Sequence, residues 1–307
     1  MKKYFLYLLS FVLIILVSIF VIFYSPEKEL TEVRKILQDS DSKYINIGGV
    51  NAHYKISGQG PNLFLVHGGQ GSMAEFSLIF PELTKKYRVI TLDLLGQGLT
   101  EDALGYNYSK QNFMDFIDQF LVSQKIEKTH ILGHSLGGYM VMEYAKRHPE
   151  KIDKIVLLNS YGGICKGRDY TLPFAVEEIP GVETLTRYLF PTFLLEEELK
   201  ASYIQRPPEK FIQTMTHIFE IKGRRMFMKH FNKYRKNGDF DRGVAGASLP
   251  HPKLIIAAEF DNYHDLCEQS DIEKTLSNDT MVIIKNSKHV SPIDRPKEVI
   301  QALESFL

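Results

Sequence analysis

Residues 128–138 read Lys-Thr-His-Ile-Leu-Gly-His-Ser-Leu-Gly-Gly and contain the pattern Gly-x-Ser-x-Gly at 133–137. Residues 128–132 are of strand type, and residues 138–147 have apolar side chains at helical spacing. The order is therefore strand, sharp turn, helix. Ser135 lies on the turn with its hydroxyl directed away from the backbone, while a side chain at Gly133 or Gly137 would collide with the neighbouring strand or helix. Ser135 is thus a candidate nucleophile.

Strands and helices alternate on both sides of this turn. Glycines at 48–49 join two alternating segments in a predicted hairpin. Buried apolar strands then alternate with helices that carry their apolar residues at helical spacing, which indicates a mostly parallel sheet covered by helices on both faces. The strands are expected near 43–47, 50–56, 62–66, 88–92, 128–132, 155–158, 253–258 and 281–284.

The alternation stops between about Tyr161 and Ala247. This stretch has no clean strand, is helical in pattern, and is rich in phenylalanine with prolines that divide it. It predicts a helical cap over the edge of the sheet. The predicted divisions are an anchor at 1–25, a stalk at 26–43, the first part of the core at 44–160, the cap at 161–247 and the second part of the core at 248–307.

The first residues predict a membrane anchor. Two lysines precede an uncharged apolar run from Tyr4 to Tyr24, which is long enough to cross a bilayer as a helix. A cleaved signal peptide is the alternative, but the run is long for one and ends without a small-x-small site. The lysines before the run place the N-terminus in the cytoplasm and the rest of the chain outside.

A serine nucleophile needs a base and a group that orients the base. Asp261 follows the penultimate predicted strand and His289 follows the last one. Because functional loops gather at the carboxyl ends of parallel strands, both are expected beside Ser135. Asp261 could instead cap a helix, with Asp265 as the reserve acid, and His289 is one of ten histidines in the chain.

The negative oxygen that forms during nucleophilic attack needs preset N–H donors. The first is expected from Leu136, at the start of the helix after the nucleophile. The second is expected from Gly69, in the loop after the strand that ends at Val66, because a residue without a side chain lets its backbone approach the substrate.

Together these residues resemble the α/β-hydrolase superfamily, in its cap-bearing branch. The likeness covers about Tyr44 to Leu307 and includes His-Gly at 67–68, the Gly-x-Ser-x-Gly turn, the late acid and the terminal histidine. Residues 93–98 are similar to the family's Asp-x-x-Gly-His-Gly turn, with Gln97 in place of histidine, and residues 258–261 replace its Gly-x-x-Asp with Ala-Glu-Phe-Asp. The resemblance implies an eight-stranded sheet, acyl-enzyme chemistry and no cofactor.

The expected function is a serine hydrolase that cleaves an ester of a small hydrophobic substrate. A carbon–carbon bond hydrolase, peptidase or acyltransferase of the same fold, and a ligand-binding module without catalysis, remain open. Gly69-x-Gly71-x-x-Ala74 imitates a dinucleotide fingerprint, but it follows a hairpin and would leave the serine turn, the acid and the histidine without a role.

The composition limits the classes of molecule that the protein is expected to bind. The formal net charge is zero, so nucleic acid is not expected, and no spacing of histidines and cysteines suggests a metal site. Cys165 and Cys267 could pair in an oxidising compartment, although two free thiols are expected. Seven basic residues between 222 and 236, with no acid among them, are expected either to face solvent or to contact anionic lipid. The sequence does not set the oligomeric state.

Overall fold

One mixed sheet forms the centre of this computed structural model, whose described residues are 2–163, 188–189, 192–201, 203–240, 249–276 and 280–307. Within them eight strands pair in the order β1-β2-β4-β3-β5-β6-β7-β8. The strands are β1 Lys43–Ile47, β2 Val50–Ser57, β3 Asn62–Val66, β4 Arg88–Leu92, β5 Thr129–His134, β6 Ile152–Leu158, β7 Lys253–Ala258 and β8 Thr280–Ile284. Strands β1 and β2 pair antiparallel with each other, and β2 pairs antiparallel with β4; all other pairs are parallel. The predicted eight-stranded, mostly parallel sheet is confirmed.

Helices flank this sheet and lead into it. They are α1 Lys2–Phe23, α2 Leu30–Leu37, α3 Phe80–Leu83, α4 Lys110–Ser123, α5 Leu136–Arg147, α6 Thr192–Ala201, α7 Glu209–Phe219, α8 Phe227–Lys236, α9 Leu266–Leu276, α10 Ser291–Asp294 and α11 Pro296–Phe306. Short 3-10 turns lie at Met73–Phe76, Leu104–Tyr106, Pro149–Lys151 and Arg224–Met226.

The two faces of the sheet build two separate apolar cores. Along β3, Phe64 and Val66 join one core while Leu63 and Leu65 join the other. This division follows from the alternation of side chains along a strand. Both sets are almost fully buried, because helices cover both faces of the parallel strands, as such sheets require.

The N-terminal helix α1 is long and apolar enough to cross a bilayer over Lys3–Phe23, and its side chains are exposed on the protein. The chain after it does not extend freely. Ser25 is buried beneath the guanidinium of Arg225, and Val33 on α2 is fully buried with Leu99, Ile218 and Ile221. The segment predicted as a stalk therefore packs against the domain.

The described residues of the predicted cap include helices joined by turns and irregular chain. Helices α6, α7 and α8 follow β6 in the chain before β7 resumes the sheet. Helix α7 contacts both α2 and the Met73–Phe76 turn. The cap is thus placed between the segment after α1 and the loops at the carboxyl ends of the strands.

Candidate active site

Ser135 occupies a strained turn between β5 and α5. Its backbone has φ 53° and ψ −120°, a conformation that residues other than glycine rarely adopt. The main chain holds the turn, since the N–H of Ser135 donates to the carbonyl of Leu158 and its own carbonyl accepts from Gly138 and Tyr161. Only 9% of Ser135 is exposed.

The two glycines of the pattern are required by close packing. A Cβ on Gly133 would lie 2.4 Å from the carbonyl oxygen of Gly137, and a Cβ on Gly137 would lie 2.3 Å from that of Val66. Both distances are far below van der Waals contact, so the strand and helix can approach as they do only with glycine at these positions. The sequence predicted the same cause, a collision of any side chain at Gly133 or Gly137 with the neighbouring strand or helix.

The loop after β3 lies against the start of α5. A Cβ on Gly69 would lie 3.3 Å from Cδ2 of Leu136, and one on Gly68 would lie 3.1 Å from Cβ of Ser135. Among the described residues, the N–H groups of Gly69 and Leu136 donate to no other backbone carbonyl. The two predicted oxyanion donors are therefore neighbours beside Ser135, which is what an oxyanion site requires.

Asp261, which is buried, pairs with His289, which is partly buried. Nδ1 of His289 lies 2.8 Å from Oδ2 of Asp261, while Oδ1 of Asp261 accepts the backbone N–H groups of Tyr263 and His264. Burial alone would raise the pKa of Asp261, but His289 and these donors outweigh it and lower that pKa below its usual value. Asp265, the reserve acid, accepts the N–H of Glu268 at the start of α9 and so caps that helix.

The side chain of His289 is 13% exposed, and its partial burial lowers the pKa of its imidazole below 6.5. Asp261 acts in the opposite direction, whereas His134 and His264 add to the lowering. A histidine held neutral in this way, with Nδ1 facing a carboxylate, presents Nε2 as a base.

Among the described residues, the histidine at hydrogen-bond distance from Oγ of Ser135 is His264, which sequence reasoning missed, and not the predicted His289. Nε2 of His264 lies 3.3 Å from Oγ of Ser135, and Nδ1 of His264 lies 3.0 Å from Oε2 of Glu268. The rings of His264 and His289 are 5.2 Å apart. The spacing of His264 and Glu268, one turn apart in the sequence, is the only early signal, and it is common in helices of all kinds.

A third histidine and its carboxylate partner support the loops around the site. Nδ1 of His134 lies 2.6 Å from Oε2 of Glu75, and its Nε2 lies 3.0 Å from the carbonyl oxygen of His289. Both partners accept hydrogen bonds, so His134 satisfies both only when both of its nitrogens carry hydrogen. Burial opposes that charge, but Glu75 and the carbonyl raise the pKa of His134 above its usual value.

Glu75 also fixes the loop that carries Gly69. Its carboxylate accepts the N–H of Gly68 at 3.1 Å, and a Cβ on Gly71 would lie 1.8 Å from Oε1. The glycine pattern that imitates a dinucleotide fingerprint thus encloses a carboxylate of the chain itself. A negative group in that position repels a pyrophosphate, which is consistent with the sequence argument against a nucleotide.

Two sequence expectations need correction. Cys267 is disulfide-bonded, so a free thiol there is wrong; Cys165, the other cysteine of the chain, lies outside the described residues. Arg224 and Arg225 are each 4% exposed, and Arg224 pairs with Asp102 of the core at 2.8 Å. The basic run therefore does not form one continuous surface, and lipid contact stays a prediction for its exposed lysines.

Gln97, which stands where the family turn has histidine, is buried, and its side-chain amide has no hydrogen-bond partner among the described residues. It lines a small cavity between that turn and cap residues of α7 and α8, which include Phe219 and Phe227.

Comparison with known proteins places these features in a family. The family model described as alpha/beta hydrolase fold matches residues 61–296. A 2-hydroxymuconate semialdehyde hydrolase of Pseudomonas sp. strain CF600 is 34% identical over 268 residues, which cover 84% of this chain and 91% of that protein. Matches to three uncharacterised mycobacterial proteins are 28% identical and span only 44% of their length.

Solved structures share the fold. A membrane phospholipase A, described as a bacterial virulence factor, superposes with a TM-score of 0.74 at 21% identity and covers 100% of this chain and 98% of its own. A putative lipase of Acinetobacter baumannii AYE gives 0.71 at 23% identity, covering 90% and 93%.

Proposed function

Because the chain belongs to the alpha/beta hydrolase family, we propose that it is a serine hydrolase that cleaves an ester-type bond through an acyl-enzyme on Ser135. The observation that carries this proposal is the buried serine in a strained strand–helix turn, with histidine–carboxylate pairs packed around it. A serine hydroxyl is a weak nucleophile, and this surrounding is what activates it.

The proposed reaction has two steps. His289, held by Asp261, takes the proton of Ser135 as Oγ attacks the carbonyl carbon, and the N–H groups of Leu136 and Gly69 receive the negative oxygen. The protonated histidine then donates to the leaving alcohol. Water, activated by the same histidine, releases the acid and restores Ser135.

Apolar side chains next to the site favour a hydrophobic substrate. Tyr203 and Phe211 of the cap region pack with Ile293 of α10, and Met215 on α7 and Val290 adjoin the same cluster. These groups lie between the cap and the loop that carries His289. A substrate entering beneath the cap therefore meets an apolar wall, which suits an acyl or alkyl chain.

We place the protein at the membrane, with α1 as a single span and the catalytic domain outside the cytoplasm. The length and composition of α1 and the lysines before it support this location, as does the likeness to a membrane phospholipase A.

The test is a series of chromogenic esters of increasing chain length, given to the detergent-solubilised full chain and to Ser135→Ala. We expect wild-type turnover that rises with acyl length, and a loss of at least about 10³-fold in the variant. The full chain is used because residues 25–37 pack on the domain. Equal rates for both proteins on every ester would show that the proposal is wrong.

A second candidate is a carbon–carbon bond hydrolase, favoured by the 34% identity to the Pseudomonas hydrolase. The same two proteins should be given 2-hydroxymuconate semialdehyde. Turnover of this compound that depends on Ser135, with none on the esters, would favour the second candidate over the first.

A further inference from the structure

We propose that His264 and Glu268 form a second histidine–carboxylate pair that serves Ser135, so that the nucleophile can pass its proton to either His264 or His289. The inference deepens the proposed function and rests on it. It concerns two residues that lie outside the predicted set of Ser135, Asp261 and His289.

The first argument is geometric. Nε2 of His264 lies 3.3 Å from Oγ of Ser135, close to hydrogen-bond length for a resting site, where such contacts are commonly long. His264 is only 5% exposed, so water does not compete freely for its ring. The imidazole therefore touches the reacting atom directly.

The second argument concerns the tautomer. Nδ1 of His264 lies 3.0 Å from Oε2 of Glu268, and a carboxylate accepts hydrogen bonds. The hydrogen of a neutral His264 is thus held on Nδ1, which leaves the lone pair of Nε2 facing Ser135. An acid that orients a histidine, which in turn faces a serine, is the arrangement that defines a catalytic triad.

The third argument is that burial and hydrogen bonds hold Glu268 in a fixed position. It is fully buried, and its Oε1 accepts the N–H of Gly162 at 3.1 Å. The neighbouring Gln269 exchanges two hydrogen bonds with the backbone of Ser160. Helix α9 is therefore fixed to the loop after β6, and a buried carboxylate in this position can balance the charge of a protonated His264.

Asp261 contacts both histidines of the site. This carboxylate binds Nδ1 of His289 through Oδ2 and the backbone N–H of His264 through Oδ1. One acid therefore positions the ring of one histidine and the main chain of the other. The ring centres of the two imidazoles are 5.2 Å apart, and that of His264 contacts the hydroxyl of Ser135.

The proton balance is the same for either histidine. When His264 acts, the Ser135 proton moves to Nε2, Oγ bonds to the carbonyl carbon, and the ester C–O bond breaks as Nε2 returns the proton to the leaving oxygen. In the second step Nε2 takes a proton from water, whose oxygen bonds to the acyl carbon. The bond to Oγ then breaks and Oγ recovers the proton. Glu268 stays charged throughout as the positioning residue.

The experiment is a cycle of variants in the full chain, with His289→Gln, His264→Gln and the double variant. Glutamine keeps a donor for the buried carboxylate in each position but cannot act as the base. Burst kinetics with a chromogenic ester give the acylation rate constant and the binding constant separately. In the His289→Gln background we expect His264→Gln to slow acylation by a further factor of about 100, with unchanged binding.

Glu268→Gln in the same background tests the positioning role. We expect acylation to slow by about tenfold with substrate binding unchanged, because the imidazole loses its counter-charge but keeps an acceptor for Nδ1. A merely structural role would alter binding and acylation together. This variant also keeps the test decisive if His264→Gln fails to fold, which thermal unfolding of each variant would show.

His251→Gln is the matched control. His251 is also buried and bonded, through Nε2 to the carbonyl of Pro149, but it precedes β7 at the opposite end of the strand from the site. It should leave acylation unchanged. If His264→Gln and Glu268→Gln each change acylation by less than about twofold in both backgrounds, the inference is wrong.

The cycle also separates this inference from the proposed function. If Ser135→Ala matches wild type, the serine mechanism fails whatever the histidine variants do. If Ser135 is essential and His264→Gln abolishes acylation while His289→Gln does not, His264 is the sole base and the inference that either histidine can act is wrong.

Discussion

At the residue scale, the site depends on three histidines in three different electrostatic settings. His289 faces Asp261, His264 faces Glu268, and His134 lies between Glu75 and a carbonyl. Burial lowers the pKa of His289, while Glu75 raises that of His134. A neutral base can therefore lie next to a buried cation, and the cation helps to keep the base neutral.

The pH dependence of catalysis follows from His289. A base acts only when neutral, so the rate falls as the pH drops through its pKa, and that pKa is below 6.5 because of burial. We expect kcat/KM on a neutral ester to be retained down to a pH below about 6.5 before it declines. A pH–rate profile measures this. A decline centred above that value would contradict the lowered pKa.

Glu75→Gln tests the carboxylate that supports the oxyanion loop. Glu75 has a lowered pKa, so its contribution to stability is present above its ordinary 4.5 and is lost as the pH falls. The raised pKa of His134 gives a contribution present below 6.5 and lost as the pH rises. Both therefore act between these values, where the variant should lose about 1–3 kcal/mol of unfolding free energy, because His134 loses its counter-charge and its charge-assisted hydrogen bond.

Denaturant unfolding near pH 5.5 measures this loss, and ester turnover should fall with it, because a neutral amide oxygen accepts more weakly from Gly68 and His134 than the carboxylate does. Glu82→Gln is the control: Glu82 pairs with Lys85 on an exposed surface, so its removal should cost almost nothing. A Glu75→Gln variant as stable as wild type would contradict the ion pair.

At the element scale, the strand–turn–helix unit β5–α5 sets the geometry of the nucleophile. The turn stays strained because the surrounding chain fixes it on both sides, through Leu158 on β6 and through the contact between Gly137 and Val66 on β3. Neighbouring strands thus hold Ser135 in place. The loops after β3, β7 and β8 supply the groups around it.

Gly137→Ala isolates this packing. In an ordinary helix, alanine stabilises by up to about 1 kcal/mol relative to glycine. Here the new Cβ would lie 2.3 Å from a backbone oxygen, so we expect a loss of at least about 3 kcal/mol and of nearly all activity. Thermal unfolding and ester turnover measure both.

Gly105→Ala is the matched control for this change, since no atom lies within 4 Å of its new Cβ and only its φ of 62° opposes the side chain. It should cost about 1 kcal/mol and leave turnover intact. Equal effects of the two substitutions would contradict the packing argument.

At the scale of the whole molecule, the segment after α1 ties the membrane end of the chain to the cap. Lys28 exchanges backbone hydrogen bonds with Glu220 and Lys222, and Arg225 binds Ser25. Arg224 in turn pairs with Asp102 of the core. The cap is therefore held from both sides, by the anchor segment and by the domain beneath it.

Val33→Ala and Ile36→Ala on α2 test that connection. Val33 is fully buried against Leu99 and Ile218, whereas Ile36 is 54% exposed on the same helix. We expect Val33→Ala to cost about 2 kcal/mol because it leaves a cavity, and Ile36→Ala to cost almost nothing. Thermal unfolding of the full chain in detergent measures both. Equal losses would mean that α2 is a free stalk after all.

The sequence by itself determined the sheet, the turn at Ser135 and the membrane-length helix. Alternation of apolar segments, glycine spacing and an uncharged run are local patterns, and each has a local physical cause. The placement of Asp261 and His289 at strand ends also followed from sequence, because parallel strands bring their carboxyl ends together.

Only the tertiary structure decided which groups meet across the site. His264 reaches Ser135 and is held by Glu268 on α9, Glu75 reaches His134 through the fold of a glycine loop, and α2 packs on α7. The first of these contacts joins residues 129 positions apart and the second joins residues 59 positions apart. The residues next to a histidine or a glutamate in the sequence do not indicate which distant residue it will contact. The pairing of these side chains therefore depends on the folded chain.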